Sequence, residues 1–113
     1  MDRLELYRQA LPHAITQSRY YRYGSSDREI DTVFYHDEKE DGYPLMTVGW
    51  NGKTRVCQIV FFARIKDGKI WIEEDWTEDG LTEELVAAGV LREDIVLAFH
   101  PPHLRQYTEY AAA

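Results

Sequence analysis

Cysteine is almost missing from this sequence. Cys57 is the only one among 113 residues, so no intrachain disulfide can form, and a reducing cytoplasm is the expected setting. Long apolar runs are missing too. None approaches the roughly 20 residues that span a bilayer, and the N-terminus shows no secretory h-region, so neither a membrane span nor export is expected. Positive charge is scarce: 13 Lys and Arg stand against 20 Asp and Glu, a formal charge of −7. Such a chain is a poor nonspecific ligand for nucleic acid or anionic lipid, because both are polyanions. No glycine-rich phosphate loop, zinc quartet or G-x-S-x-G is present. No repeat, low-complexity tract or linker interrupts the chain.

What is there suffices for a core. Hydrophobic residues make up 44% and aromatics 13%, and at this length one domain over 1–113 is the expectation. Two turn signals, Asn51-Gly52 and Asp67-Gly68, punctuate residues 43–76. Each supplies the left-handed pair of a type I′ turn, so the stretch reads as a three-stranded antiparallel meander. Two-residue loops would set Ala63 opposite Ile72, Phe61 opposite Glu74 and Ile59 opposite Trp76, with Met46 opposite Cys57 and Val48 opposite Arg55. One face then gathers Met46, Val48, Trp50, Cys57, Ile59, Phe61, Ala63, Ile65, Ile70, Ile72 and Trp76, and is expected to be the core face. The other carries Leu45, Thr47, Val56, Gln58, Val60, Phe62, Arg64, Trp71 and Glu73.

The flanking segments complete an α+β plan. Leu4, Tyr7, Leu11, Ala14, Ile15 and Ser18 recur at helical spacing, so a helix is expected over 3–19, kinked or divided at Pro12. Gly24–Asp27 reads as a loop and Ile30–His36 as a strand. Leu81, Leu85 and Ala88 define a short helix near 81–88, stopped by Gly89 with Val90 folding back on Leu85. Ile95–Phe99 reads as a short buried strand, Pro101 and Pro102 open a last helical turn, and the tail from Tyr107 is read as an edge strand. The expected fold is an antiparallel sheet of four to five strands, covered on one face by the N-terminal helix and the helix near 81–88.

Residues that could carry chemistry each have a plainer reading. Cys57 alternates onto the expected core face, where a buried thiol is inert. His100 and His103 are separated by two prolines with no cysteine nearby, a poor metal pair. No metal or cofactor is expected. Glu73, Glu74, Asp75, Glu78 and Asp79 crowd one sheet end and read as a solvated rim before a helix, except Glu74, which the register aims at the core face. Arg19, Tyr20, Arg22 and Tyr23 interleave base and aromatic as single-strand nucleic-acid binders do. In so acidic a chain a helix end with tyrosines on the sheet is preferred, and little direct nucleic-acid binding is expected. The firmest candidate is the second face of the sheet. Val60, Phe62 and Trp71 are too many large apolar groups for plain solvent contact, and Arg64 falls opposite Trp71, as a cation–π pair requires. Arginine and aromatics together compose protein-contact hot spots.

Four segments carry a resemblance: Val48-Gly-Trp-Asn-Gly52, Ile65-Lys-Asp-Gly-Lys-Ile-Trp-Ile72, Glu84-Leu-Val-Ala-Ala-Gly-Val90 and Asp94-Ile-Val-Leu-Ala-Phe-His-Pro-Pro102. With Arg105, Thr108, Glu109, Tyr110 and Ala111 they resemble the XisI family, the fdxN element excision controlling factor proteins of cyanobacteria. The resemblance spans nearly the whole chain and is strongest from residue 46 onward. It implies a small α+β protein that acts with a companion excision factor, an XisH-like protein, and a recombinase to excise a DNA element during differentiation of nitrogen-fixing cells. It carries no catalytic residues to this chain. The expectation is a non-enzymatic controlling factor that works in a homo-oligomer or hetero-complex, with Val60, Phe62, Arg64, Trp71 and Arg105 as partner-binding candidates. The alternative is an antitoxin-like or immunity-like inhibitor of a nuclease-like companion.

Overall fold

A computed structural model of the chain describes residues 2–24, 29–77 and 80–112. The loop read at Gly24–Asp27 therefore lies mostly outside the described residues, as do Glu78 and Asp79. Asp2 caps the first helix, α1 (Arg3–Gln17), by accepting from the Glu5 N–H at 2.8 Å. Tyr7, Ala10, Leu11, Ala14 and Ile15 form one helical stripe, and all five are buried. Pro12 sits inside α1 without dividing it. The break comes at Ser18, whose hydroxyl donates to the Ile15 carbonyl at 2.6 Å and accepts from the Tyr21 N–H at 3.3 Å. One side chain thus closes α1 and opens α2 (Arg19–Tyr23). A serine that satisfies both helix ends divides the segment where the proline does not.

Five strands follow, β1 (Ile30–Phe34), β2 (Gly42–Asn51), β3 (Thr54–Lys66), β4 (Lys69–Asp75) and β5 (Ile95–Leu97), adjacent in chain order. The first four pair antiparallel, as expected. β5 joins β4 in parallel, because the chain crosses back through α3 (Thr82–Ala87) and a 3₁₀ turn at Arg92–Asp94 before re-entering the sheet. A last short helix, α4 (Pro102–Arg105), follows. Among the described residues the tail returns to the sheet only through Ala111, whose N–H donates to the Ile95 carbonyl at 2.8 Å, so it forms a single bridge there and not an edge strand.

The two hairpin turns differ in kind. Asp67 (φ 53°) and Gly68 (φ 76°) are both left-handed, the type I′ pair, and set Arg64 opposite Trp71 and Ala63 opposite Ile72 as expected. At the other turn only Gly52 (φ 61°) is left-handed, and Asn51 pairs with Thr54. The loop is Gly52-Lys53, with glycine at the first central position as a type II′ turn requires. Val48 therefore lies opposite Cys57, not Arg55.

A slip of two residues would leave the faces unchanged; a bulge does not. Leu45 pairs with Phe61 while Met46 pairs with Ile59, so Val60 is an extra residue in β3. Val60 and Phe61 both point to the helices, 8% and 0% exposed. From there back to Thr54 the alternation is inverted. Met46, Val48, Trp50, Cys57 and Ile59 leave the expected core face for the opposite one, while Leu45, fully buried, and Val60 join the core. A second bulge, at Glu73, puts Glu74 opposite Phe62 and Asp75 opposite Phe61. Glu74 is thereby turned from the core face it was assigned, and Trp76 is 72% exposed, its indole donating to Glu74 Oε2 at 2.8 Å.

The core forms between the α1 stripe, Leu81, Leu85 and Val90 on one side and Tyr43, Leu45, Phe61, Ala63, Ile65, Ile70 and Ile72 on the other. α3 ends as the sequence indicates. The Val90 N–H donates to the Leu85 carbonyl and the Gly89 N–H to Val86, each at 3.0 Å, with Gly89 at φ 104°. This is a Schellman stop, and it brings buried Val90 back toward buried Leu85. Arg8 ties α1 to the β1–β2 loop by a two-pronged pair with Asp41, at 2.9 and 3.1 Å.

Candidate functional site

The helices leave one face of the sheet open. On it β2 contributes Met46, Val48 and Trp50, and β3 contributes Cys57 and Ile59 directly across from Val48 and Met46. Val33 of β1 continues the row on the other side of Met46. Trp50 is 47% and Ile59 40% exposed, and Cys57 is exposed as well. Arg55, opposite Trp50, holds its guanidinium 5.5 Å from the indole ring and donates to the Gly49 carbonyl at 3.3 Å. An apolar strip rimmed by polar groups is the usual form of a protein-contact surface.

The structure separates the residues that sequence placed together here. Phe62, Arg64 and Trp71 are on the open face, half-buried. Val60 is in the core beneath the helices, removed by the bulge. Arg64 does not stack on Trp71. Its Nε and Nη2 donate to Glu73 Oε2 at 3.0 and 2.9 Å, since the bulge at Glu73 brings a carboxylate within reach. Trp71 instead meets Lys66 Nζ at 4.7 Å and the Arg105 guanidinium at 5.7 Å. Arg105 is 9% exposed and donates to the carbonyls of His100 at 3.0 Å and Ala98 at 3.1 Å. It is a fastener for the segment after β5, closed to a partner's approach. Met46, Val48, Trp50, Cys57 and Ile59 were missed as surface residues. The run Ile59-Val60-Phe61-Phe62 held the signal, because four consecutive apolar residues cannot alternate between core and solvent.

The basic aromatic cluster is spread over several environments. Tyr20 packs against the core and Tyr21 meets Phe34 edge-on at 6.4 Å. Arg22 lies 5.5 Å from the Tyr23 ring, on the exposed side. Arg19, Tyr20 and Tyr23 line a groove of about 440 Å³ with Thr77, Leu81 and Glu84. His36 stacks between Phe34 and Tyr43, at 6.1 and 5.8 Å, and His100 packs on Phe99 at 4.6 Å. Among the described residues no three of His, Cys, Asp and Glu converge as metal ligands, and no helix is long and apolar enough to cross a membrane.

Two polar networks tie the helical layer to the crossover and the tail. Buried Tyr7 donates to buried Asp94, which Arg3 also approaches at 3.3 Å. Burial, then the bond to Asp94, pushes the Tyr7 hydroxyl up to about 12. Burial likewise raises Tyr43. On the surface Arg92 holds Glu83 at 3.0 and 3.2 Å and Glu109 at 3.0 Å, while the Tyr110 hydroxyl donates to Glu83 at 3.0 Å. The bonds from Arg92 and then Tyr110 lower the Glu83 pKa. This network pins the tail to α3.

A helical layer on one side of a mostly antiparallel five-stranded sheet, with the other side open over β1–β3, defines the class: a small two-layer α+β protein. The family model described as XisI protein matches residues 1–112, and the chain belongs to the XisI family. The crystal structure of fdxN element excision controlling factor XisI from Anabaena variabilis ATCC 29413 is similar at 38% identity and a TM-score of 0.85, covering 99% of this chain and 100% of that one. A XisI-like protein from the same organism is similar at 38% identity and a TM-score of 0.78, covering 96% of this chain and 94% of that one. No curated protein matches the chain.

Proposed function

We propose that this protein is a non-enzymatic factor controlling the excision of a DNA element, acting through contact with a companion excision factor. Membership of the XisI family supports the reading, as does the likeness to a protein named as an fdxN element excision controlling factor. The observation that carries the mode of action is the open apolar face, with Trp50, Cys57 and Ile59 exposed on one strip. Water is an unfavourable neighbour for such a surface, and a DNA backbone is no better one for a chain of charge −7. A protein surface satisfies it.

The test is a reporter element whose excision is reconstituted with a recombinase and the companion factor. Excision is expected to require this chain and to be lost with Ile59→Glu, which keeps the fold because Ile59 is exposed. Excision that proceeds equally without the chain would refute the proposal. Silencing of a cleavage activity in the companion would replace it by the inhibitor reading.

A further inference from the structure

The helices do not cover the whole of their own side of the sheet. Thr47 shares a face with fully buried Leu45, two residues earlier in β2, yet Thr47 is only half-buried. Thr32 of β1 lies opposite Thr47, and Thr47 lies opposite Gln58 of β3. The three side chains form a row across three strands, roughly 10 Å long at the usual strand spacing. Among the described residues none of the three makes a side-chain hydrogen bond. The row lines a cleft of about 360 Å³ together with Tyr20, Gly24, Val60 and Trp76. Tyr20 and Gly24 also line the groove of about 440 Å³ that holds Arg19 and Tyr23, so the two cavities meet along α2. Each is of a size that takes a small molecule or one unit of a polymer.

We infer that this cleft holds one unstacked base of a single-stranded nucleic acid, with the neighbouring phosphates on Arg19 and Arg22. Three observations carry it. Trp76 is 72% exposed, and its indole N–H is fixed on Glu74 Oε2 at 2.8 Å. A large ring held in one orientation in water offers its face for stacking. Two hydroxyls and a carboxamide, all uncharged, each donate and accept, and a base edge presents the same mixture. The arginines supply the third. Arg3, Arg8, Arg64 and Arg92 are held by carboxylates, Arg55 and Arg105 by backbone carbonyls. Among the described arginines only Arg19 and Arg22 have neither, and both belong to α2 beside the cleft. A duplex does not fit, because its base faces are already stacked on one another. Glu84 is the one acid among the described lining residues of the two cavities, and it opposes phosphate, so the affinity is modest. The cleft lies on the helical side of the sheet, away from the strip proposed to meet the companion, so this inference stands or falls apart from that reading.

The experiment is fluorescence anisotropy with the full chain and a labelled single strand of DNA about ten nucleotides long. The same sequence as a duplex, and an abasic strand of equal charge, are measured beside it. The single strand is expected to bind, and the other two to bind about tenfold more weakly or worse. Trp76→Ala should weaken binding about tenfold, and Trp76→Phe should recover part of the loss. Gln58→Leu should change the ranking of strands made of adenine, cytosine or thymine alone. Arg19→Ala should weaken all strands alike and flatten the slope of log affinity against log salt by about 0.7. Glu84→Gln should strengthen binding. All four positions are exposed, so circular dichroism should show the native fold in each variant. Tyr107→Ala removes a comparably exposed ring outside the cleft and should change nothing. A single strand that does not bind at millimolar protein overturns the inference, as does equal binding of the abasic strand, or binding indifferent to Trp76→Ala. If the strand does not bind while excision still requires the chain, this inference alone fails. If Trp76→Ala releases the strand while excision proceeds without the chain, the functional reading alone fails.

Discussion

The hydroxyl of Tyr7, in the first helix, donates to the carboxylate of Asp94 at the end of the crossover between β4 and β5. Both residues are buried, and the Tyr7 oxygen also accepts from the Leu91 N–H at 3.4 Å. Removing the hydroxyl in Tyr7→Phe leaves a buried carboxylate that, among the described residues, only Arg3 approaches, from the solvent side. The expected cost is about 1–3 kcal/mol at neutral pH, the penalty for a buried acceptor losing its donor. Urea denaturation measures it, and a change within the scatter of surface substitutions would contradict the network.

The same tyrosine makes an alkaline prediction. Folding favours its protonated form, because the hydroxyl titrates near 12 in the folded chain against an ordinary value of 10.0. Its contribution is fully present below the unfolded value and is lost as the pH rises through the folded one. Two units correspond to on the order of 3 kcal/mol. Stability should fall over that window in wild type, and less steeply in Tyr7→Phe. Equal slopes for the two proteins would show that Tyr7 does not titrate with folding.

Leu85 joins two roles, filling the core under α3 and closing the helix stop with Val90. Leu85→Ala should cost about 2–4 kcal/mol, through a cavity and a loosened stop. Two-state chemical denaturation reads it directly. A loss below about 0.5 kcal/mol, the range of surface changes, would mean the site collapses without penalty.

Gly49 marks a close backbone approach between β2 and the start of β1. With φ 155°, a Cβ there would stand 1.9 Å from the Glu29 carbonyl oxygen and 2.8 Å from Ile30 Cα. The obstacle is backbone, so no rotamer relieves it. Gly49→Ala is expected to destabilise by about 2 kcal/mol or more and to loosen β1, the strand it would push away. Hydrogen exchange localises the effect: protection should drop in β1 before β4. Uniform loss across the sheet would refute the local account.

Local chemistry explains which features could be read in advance. Asp67-Gly68 forces a type I′ turn because both residues tolerate left-handed backbone, and the register near it follows to Ala63 and Ile72. The stop at Gly89-Val90 is equally local. Asn51-Gly52 reads as a type I′ turn, and the structure places the loop at Gly52-Lys53 instead: glycine serves type I′ and II′ turns alike, and the choice depends on how β2 and β3 settle against their neighbours. The bulges at Val60 and Glu73 are tertiary decisions. They let Val60 and Phe61 both reach the helices, and alternation alone cannot anticipate that. This is why the open face was found around Phe62 and Trp71 while its broader part, Met46 to Trp50 with Cys57 and Ile59, was assigned to the core.

The covering of Trp71 separates a structural residue from an interface residue in the last prediction. Arg105 spans Trp71 and two backbone carbonyls, of Ala98 and His100, and is itself buried. The Trp71 indole donates to the Lys66 carbonyl at 3.0 Å. Arg105→Ala would leave two carbonyls without their donor and uncover one side of the ring. The expected loss is about 2–3 kcal/mol, from the charged hydrogen bonds and the stacking together. Arg105→Lys should recover little, because a compact ammonium lacks the fork that donates from Nε and Nη2 to separate carbonyls while keeping the charge beside the ring. Association with the companion factor, measured on the same samples below the unfolding transition, should be unchanged in both variants, since Arg105 lies beyond the strip around Val48. Ile59→Glu should show the reverse pattern, with stability kept and association lost. An Arg105→Ala protein of normal stability that no longer associates would return Arg105 to the contact surface and move that surface toward β4 and β5.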